Sequence, residues 1–159
     1  MCQNTAKQTN KFYFYKLNLI VLMLKSIKYL LSIMKNNLFD IWAKNEASIN
    51  AWLSIPNSFT AEAFGKMGWD SVTIDMQHGQ NDYSTAIAMV QGLSNSNTVP
   101  MTRVPWNEPG IIMKMLDLGI QGIIAPMINT KEDCEKFVSY CYYPPIGQRS
   151  FGPMRAQVV

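Results

Sequence analysis

Beyond Met34 the chain alternates short apolar runs with longer amphipathic ones. The short runs are Ala51-Trp-Leu-Ser54, Ser71-Val-Thr-Ile-Asp75, Val99-Pro-Met-Thr-Arg-Val104 and Gly122-Ile-Ile-Ala-Pro126. They are largely apolar or β-branched, the pattern expected of strands covered on both faces. Pro100 fits only near the start of its strand, because proline has no N–H to give to the ladder. Between the runs lie helical patterns with their own start and stop signals. Phe59 to Met67 follows the cap candidates Asn57 and Ser58 and ends before Gly68, and Tyr83 to Leu93 follows Asn81-Asp82. Pro109 to Leu118 follows Asn107, carries its proline in the first turn and stops at Gly119. Lys131 to Tyr142 follows Thr130, with Asp133 three residues later as a capping-box partner. A side-chain oxygen at each start takes up free N–H groups of the first turn, and a glycine at the end accepts the left-handed backbone that stops a helix.

The four strand ends, Leu53, Asp75, Arg103 and Ala125, fall 22, 28 and 22 residues apart. Each interval holds one helix and two short loops, which is the βαβ unit of a parallel sheet. No GxGxxG follows the first strand, so the pattern favours a barrel over a dinucleotide-binding sheet. The expected fold is α/β, the first four βα units of a (β/α)8 TIM barrel. A whole barrel takes about 250 residues, whereas Ser48 to Val159 supplies 112. The barrel is therefore expected to be truncated, with residues 36–159 as its N-terminal half.

Charge divides the chain at the same place. Fourteen basic residues stand against 11 acidic ones, a net charge of +3, and the pI is near 8.7. Such a balance suggests nucleic acid or a membrane as partner. Residues 1–35, however, hold six lysines and no acid, and the remainder sums to −3. The basic excess belongs to an apolar head, and no nucleic-acid partner is expected of the barrel. The longest uncharged run of the head, Leu17 to Leu24, is eight residues, too short for a spanning helix of about 20. Three readings of residues 1–35 stay open. One is a non-native extension upstream of a true start at Met34. Another is a secretory signal, although it lacks a small-x-small cleavage site. The last is a basic amphipathic helix touching a membrane surface. Over the whole chain, 48% hydrophobic and 11% aromatic residues exclude a disordered tail protein.

Cys2, Cys134 and Cys141 make an odd count with no CxxC and no zinc-like Cys/His spacing. Neither a disulfide framework nor a structural metal is expected, and the reducing cytoplasm is the default compartment. Cys134 and Cys141 lie seven apart in one helix and are expected to pack there.

Chemistry in parallel α/β folds gathers at the carboxyl ends of the strands. Those ends carry Trp52, then Asp75 and His78, then Arg103, then Pro126. A lone histidine is ordinarily structural or merely exposed; His78, the only one in the chain, instead follows a strand end whose neighbour contributes Arg103. A neutral imidazole can take a proton from a hydroxyl or a water, and a nearby carboxylate can fix its tautomer. The planar fork of Arg103 suits a carboxylate or a developing enolate oxygen. This set fits carbon–carbon cleavage beside a 2-oxo acid. It lacks an electrophile for the enolate: Lys44, Lys66, Lys114, Lys131 and Lys136 all fall in helices or linkers, so no Schiff-base lysine is available and a metal is needed.

At these residues the sequence resembles the HpcH/HpaI aldolase family. The resemblance runs through Trp52-Leu-Ser, Ala61-Glu62, Gly68-Trp-Asp, Ile74-Asp-Met-Gln-His-Gly79 and Arg103-Val-Pro-Trp-Asn107. It continues through Leu116-Asp-Leu-Gly119, Ala125-Pro-Met127 and Tyr143-Pro-Pro-Ile-Gly-Gln-Arg149, covering about residues 38–156 in order. It implies a metal-dependent (class II) pyruvate aldolase that reversibly cleaves a 4-hydroxy-2-oxo acid to pyruvate and an aldehyde. His78 then matches the general base, acting on the 4-hydroxyl through a water, and Asp117 the acid that pairs with it. Arg103 matches the arginine that binds pyruvate oxygens, Asp75 an aspartate that orients the water network, and Trp52 a pocket wall. The family often has glutamate where Gln77 stands. Its Mg²⁺ or Mn²⁺ ligands, a glutamate and an aspartate on the fifth and sixth strands, are expected beyond residue 159, so the chain alone is expected to be inactive or impaired. The family also implies a homo-oligomer. From a different class, a non-catalytic half-barrel that pairs with itself or a full-length relative remains the alternative.

Overall fold

A computed structural model describes residues 36–157, and the expectations for residues 1–35 lie outside that range. The elements are α1 (Asn37–Ala43), β1 (Asn50–Leu53), α2 (Ser58–Gly65), β2 (Ser71–Asp75), α3 (Tyr83–Leu93), β3 (Val99–Arg103), α4 (Pro109–Leu118), β4 (Gly122–Ile124) and α5 (Lys131–Cys141). The four strands form one parallel sheet in the order β1-β2-β3-β4. Neighbours in sequence are thus neighbours in space, each joined by a helix, as the spacing of the strand ends requires.

Local chemistry explains where the helices start. Asn57 accepts from the Thr60 N–H at 2.8 Å to open α2. Asp82 with Thr85 and Thr130 with Asp133 form capping boxes at α3 and α5. Gly119 ends α4 at φ 103°, a left-handed backbone that a Cβ would strain. Two starts differ from expectation. The carboxylate of Glu108, not Asn107, caps α4 by accepting from the Gly110 and Ile111 N–H groups. Asn107 is drawn away by donating to the Asp133 carbonyl at the head of α5. Helix α1 was not expected, being only seven residues beside the basic head; Asn36 caps it and Leu38 anchors it in the interior.

Side chains alternate across the sheet. Ala51, Leu53, Val72 and Ile74 face the helices and pack with Ala86, Met89, Val90, Leu93, Ile112, Met115 and Leu118. The opposite face carries Asn50, Trp52, Thr73, Asp75, Met101 and Arg103. Coverage of both faces, expected of all four strands, holds only for β2; β1 alternates exposed and buried residues, and β4 is half-exposed. The cause is position, because β1 and β4 are the edges of the described sheet while β2 lies between two strands; across the second face the Asn50 amide donates to the Thr73 hydroxyl at 2.7 Å. Cysteine packing also needs correction. Helix α5 meets the core through Phe137, Tyr140 and Cys141, which leaves Cys134 in the first turn exposed. Among the described residues no helix is long and apolar enough to cross a membrane.

Candidate active site

Parallel register sets Asp75 directly opposite Arg103 and brings Trp52 to the same face from β1. The Arg103 guanidinium binds Asp75 through two bonds, Nε to Oδ1 at 2.9 Å and Nη2 to Oδ2 at 2.6 Å. The Trp52 indole donates to Oδ2 at 3.2 Å, and the Gln77 and His78 backbone N–H groups donate to Oδ1 at 3.0 and 3.3 Å. The Asp75 side chain is 3% exposed and that of Arg103 24%. The Arg103 bonds hold the Asp75 carboxyl far below the usual carboxylate range; burial opposes them, and the indole and the two backbone donors add to them. Arg103 is raised in turn by Asp75. Its guanidinium carbon lies 5.0 Å from the Trp52 ring centre, a cation–π contact. Nη1 remains without a partner among the described residues, so an oxygen-bearing ligand has donors to meet.

His78 rides on the turn that follows β2. Backbone bonds fix that turn at both ends, from Met76 N–H to the Arg103 carbonyl at 2.9 Å and from Gln80 N–H to the Ser54 carbonyl at 2.8 Å. Gly79 lies so close beneath that a Cβ there would come 2.3 Å from the Asp75 carbonyl oxygen and 3.0 Å from the Ser54 Cα. Asn81 is buried, and its amide donates to the carbonyls of Leu53 at 3.1 Å and Asp75 at 3.0 Å. The exposed imidazole of His78 itself accepts and donates no hydrogen bond among the described residues.

The resemblance pairs Asp117 with His78; within one copy of the chain the two lie at opposite ends of the sheet. A helix that follows a strand runs back antiparallel to it. Asp117, near the end of α4, therefore sits at the amino-terminal end of the sheet, away from the turn of His78. There its carboxylate accepts from Arg149 Nη2 at 2.7 Å, and Arg149 lies 4.6 Å from the Tyr143 ring. The stop at Gly119 was the signal that located this end. Asn81, read only as part of a cap, was missed as a link between two strands; Asp82 already supplies the cap, which leaves Asn81 for other work.

A divalent ion does not fit the described residues alone. Among them no three His, Cys, Asp or Glu side chains converge, and both Asp75 oxygens are taken by N–H donors. The described lysines lie in or just after helices, none of them at a strand end.

Residues 49–158 match the family model described as HpcH/HpaI aldolase/citrate lyase. The chain belongs to that family. It is 38% identical over 120 residues to a hydroxypyruvate/pyruvate aldolase of Rhizorhabdus wittichii, covering 76% of this chain and 48% of that relative. It is 37% identical over 107 residues to a 5-keto-4-deoxy-D-glucarate aldolase of Escherichia coli, covering 67% and 42%. An HpcH/HpaI aldolase/citrate lyase family protein of Burkholderia cenocepacia superposes with a TM-score of 0.69 at 27% identity, covering 74% of this chain and 49% of that one. A citrate synthase, SbnG, superposes at 0.68 with 28% identity, covering 75% and 49%. The chain thus spans about half the length of the family members it matches.

Proposed function

We propose that the chain belongs to a carbon–carbon lyase that releases pyruvate and an aldehyde from a 4-hydroxy-2-oxo acid. The observation that carries this reading is a guanidinium with spare donors, held by Asp75, beside the unengaged imidazole of His78. In the cleavage direction His78 takes the proton of the 4-hydroxyl, directly or through a water. The C3–C4 bond then breaks, the oxygen becomes the aldehyde carbonyl, and the electron pair passes into the enolate of pyruvate. A proton returned to C3 completes pyruvate. The free Arg103 donors bind the carboxylate and the 2-oxygen, where charge develops. Asp75 keeps that fork in one orientation, and Trp52 walls the pocket while holding Asp75 from the other side. Electrophilic help for the enolate beyond Arg103 has no source among the described residues.

Related names support pyruvate chemistry, while the citrate synthase on the same fold shows that the scaffold also carries a synthase. The test is pyruvate release from a 4-hydroxy-2-oxo acid by the full chain, with and without added Mg²⁺ or Mn²⁺. Wild type should release pyruvate at an impaired rate and His78→Asn should be slower still by about a hundredfold or more; equal rates would remove His78 from the reaction. A second reading, a non-catalytic self-pairing module, draws on β1 and β4, which are the edges of the described sheet. Sedimentation showing a stable two-copy species with no pyruvate release would favour it.

A further inference from the structure

We propose that Asn81 is a positioning residue, whose amide sets the turn that ties His78 to Asp75; this rests on the active-site reading above. Three observations converge on it. First, Asn81 is buried at 6% exposure, with its amide nitrogen bonded and its Oδ1 left without a partner among the described residues, so the burial is held by the nitrogen alone. Secondly, one nitrogen reaches two strands, donating to the Leu53 carbonyl of β1 and the Asp75 carbonyl of β2. These carbonyls lie at the point where the β1–β2 ladder ends, since Leu53 opposite Ile74 is its last pair. Thirdly, the Asp75 residue so held is the one whose carboxylate receives the N–H groups of Gln77 and His78. Asn81 therefore grips the main chain of Asp75 while Asp75 grips the main chain of His78. Its own position is fixed from the other side, because Asp82 caps α3 with both halves of a capping box. The turn from Met76 to Gln80 is suspended between a strand end and a helix start, with Asn81 as the cross-tie.

Without the amide, two carbonyls lose a buried donor and the Asp75 backbone gains freedom. The effect reaches the imidazole through Asp75. Small displacements of a catalytic group cost rate steeply, about a hundredfold for roughly 1 Å. Binding of the 2-oxo acid through Arg103 is disturbed less, because the guanidinium is also held against the Trp52 ring, so kcat should fall more than KM rises.

His78 is the only histidine in the 159-residue chain, so its ring resonances in an NMR spectrum need no assignment and report its position without any assay of activity. The experiment compares Asn81→Ala with Thr98→Val in the full chain. Thr98 is also buried and its hydroxyl also donates to two carbonyls, those of Gly65 and Trp69, at the opposite end of the sheet. Asn81→Ala should shift the His78 ring signals and lower kcat about tenfold to a hundredfold with KM within about threefold. Thr98→Val should lower the melting temperature comparably and leave the His78 signals in place. Should Asn81→Ala fail to fold, Asn81→Ser, whose hydroxyl can still reach one carbonyl, takes its place with a smaller shift expected. An unmoved His78 signal in the folded variant, or an equal shift in both variants, overturns the assignment. If the wild-type chain releases no pyruvate with added metal, lyase activity of this chain by itself fails, and the His78 signal still decides on Asn81.

Discussion

Two arginine–aspartate pairs, built alike, sit at opposite ends of the sheet. Each has an N···O distance near 2.6–2.7 Å and an arginine stacked on an aromatic ring, Arg103 on Trp52 and Arg149 on Tyr143. Their surroundings differ. Asp75 is 3% exposed and receives five donors from four residues, whereas Asp117 is 25% exposed and is bonded by a single arginine nitrogen. At the amino end it is the arginine that is deeper, with its Nε buried and unpartnered. Composition alone does not make a site: the Asp75 pair is a finished electrostatic unit beside an imidazole, while the Asp117 pair ties the chain after α5 to the end of α4.

The largest expected effect comes from breaking the first pair. Arg103→Met leaves a buried carboxylate without its main partner and should cost about 3–5 kcal/mol in urea unfolding, with pyruvate release lost. His78→Asn should be the reverse, a large kinetic loss with stability within about 0.5 kcal/mol of wild type, read by pairing the assay with a melting curve. Arg149→Met should cost about 1–2 kcal/mol, since Asp117 can turn to water once freed. A cost equal to that of Arg103→Met would erase the contrast between the two ends.

Acid should expose the same asymmetry. The folded-state value of Asp75 lies below the ordinary 3.8 because of Arg103. The unfolded chain therefore takes up the proton first. The stabilisation is complete above about pH 4 and is lost as the pH falls from there toward the folded value. Urea midpoints at pH 7 and pH 3 should thus differ more for wild type than for Arg103→Met. Part of the acid loss should survive in the variant, because Thr85 and Thr130 lower the capping carboxylates Asp82 and Asp133 in the same direction. The smallest effect is expected of Trp52→Phe, which removes one indole donor and weakens the cation–π contact, for about 0.5–1.5 kcal/mol.

Much of this architecture is legible in the sequence because local rules and the global fold agree. The strand ends Leu53, Asp75 and Arg103, the stop at Gly119 and the box at Thr130 all fall where pattern and cap chemistry put them. The gathering of Trp52, Asp75 and Arg103 follows from parity and register alone. Where Asp117 lies within one copy follows from the stop at Gly119 and not from its motif, because a matching motif says that a residue recurs and says nothing about which end of a helix faces the strand tips. Asn81 escaped for a related reason: its partners are main-chain carbonyls, which carry no signature in the amino-acid string. Glu108 displaced Asn107 as a cap because a contact 26 residues away, to the Asp133 carbonyl, competes for the asparagine.

The crowding around Gly79 bears on how this gene can drift. A methyl group there would meet two stretches of main chain, at Asp75 and at Ser54, which no change of rotamer can move aside. In a library of all single substitutions, codon 79 should admit only its synonymous forms, while Gln80 beside it tolerates many. Random mutation near the histidine is therefore filtered by backbone geometry before selection on turnover acts at all.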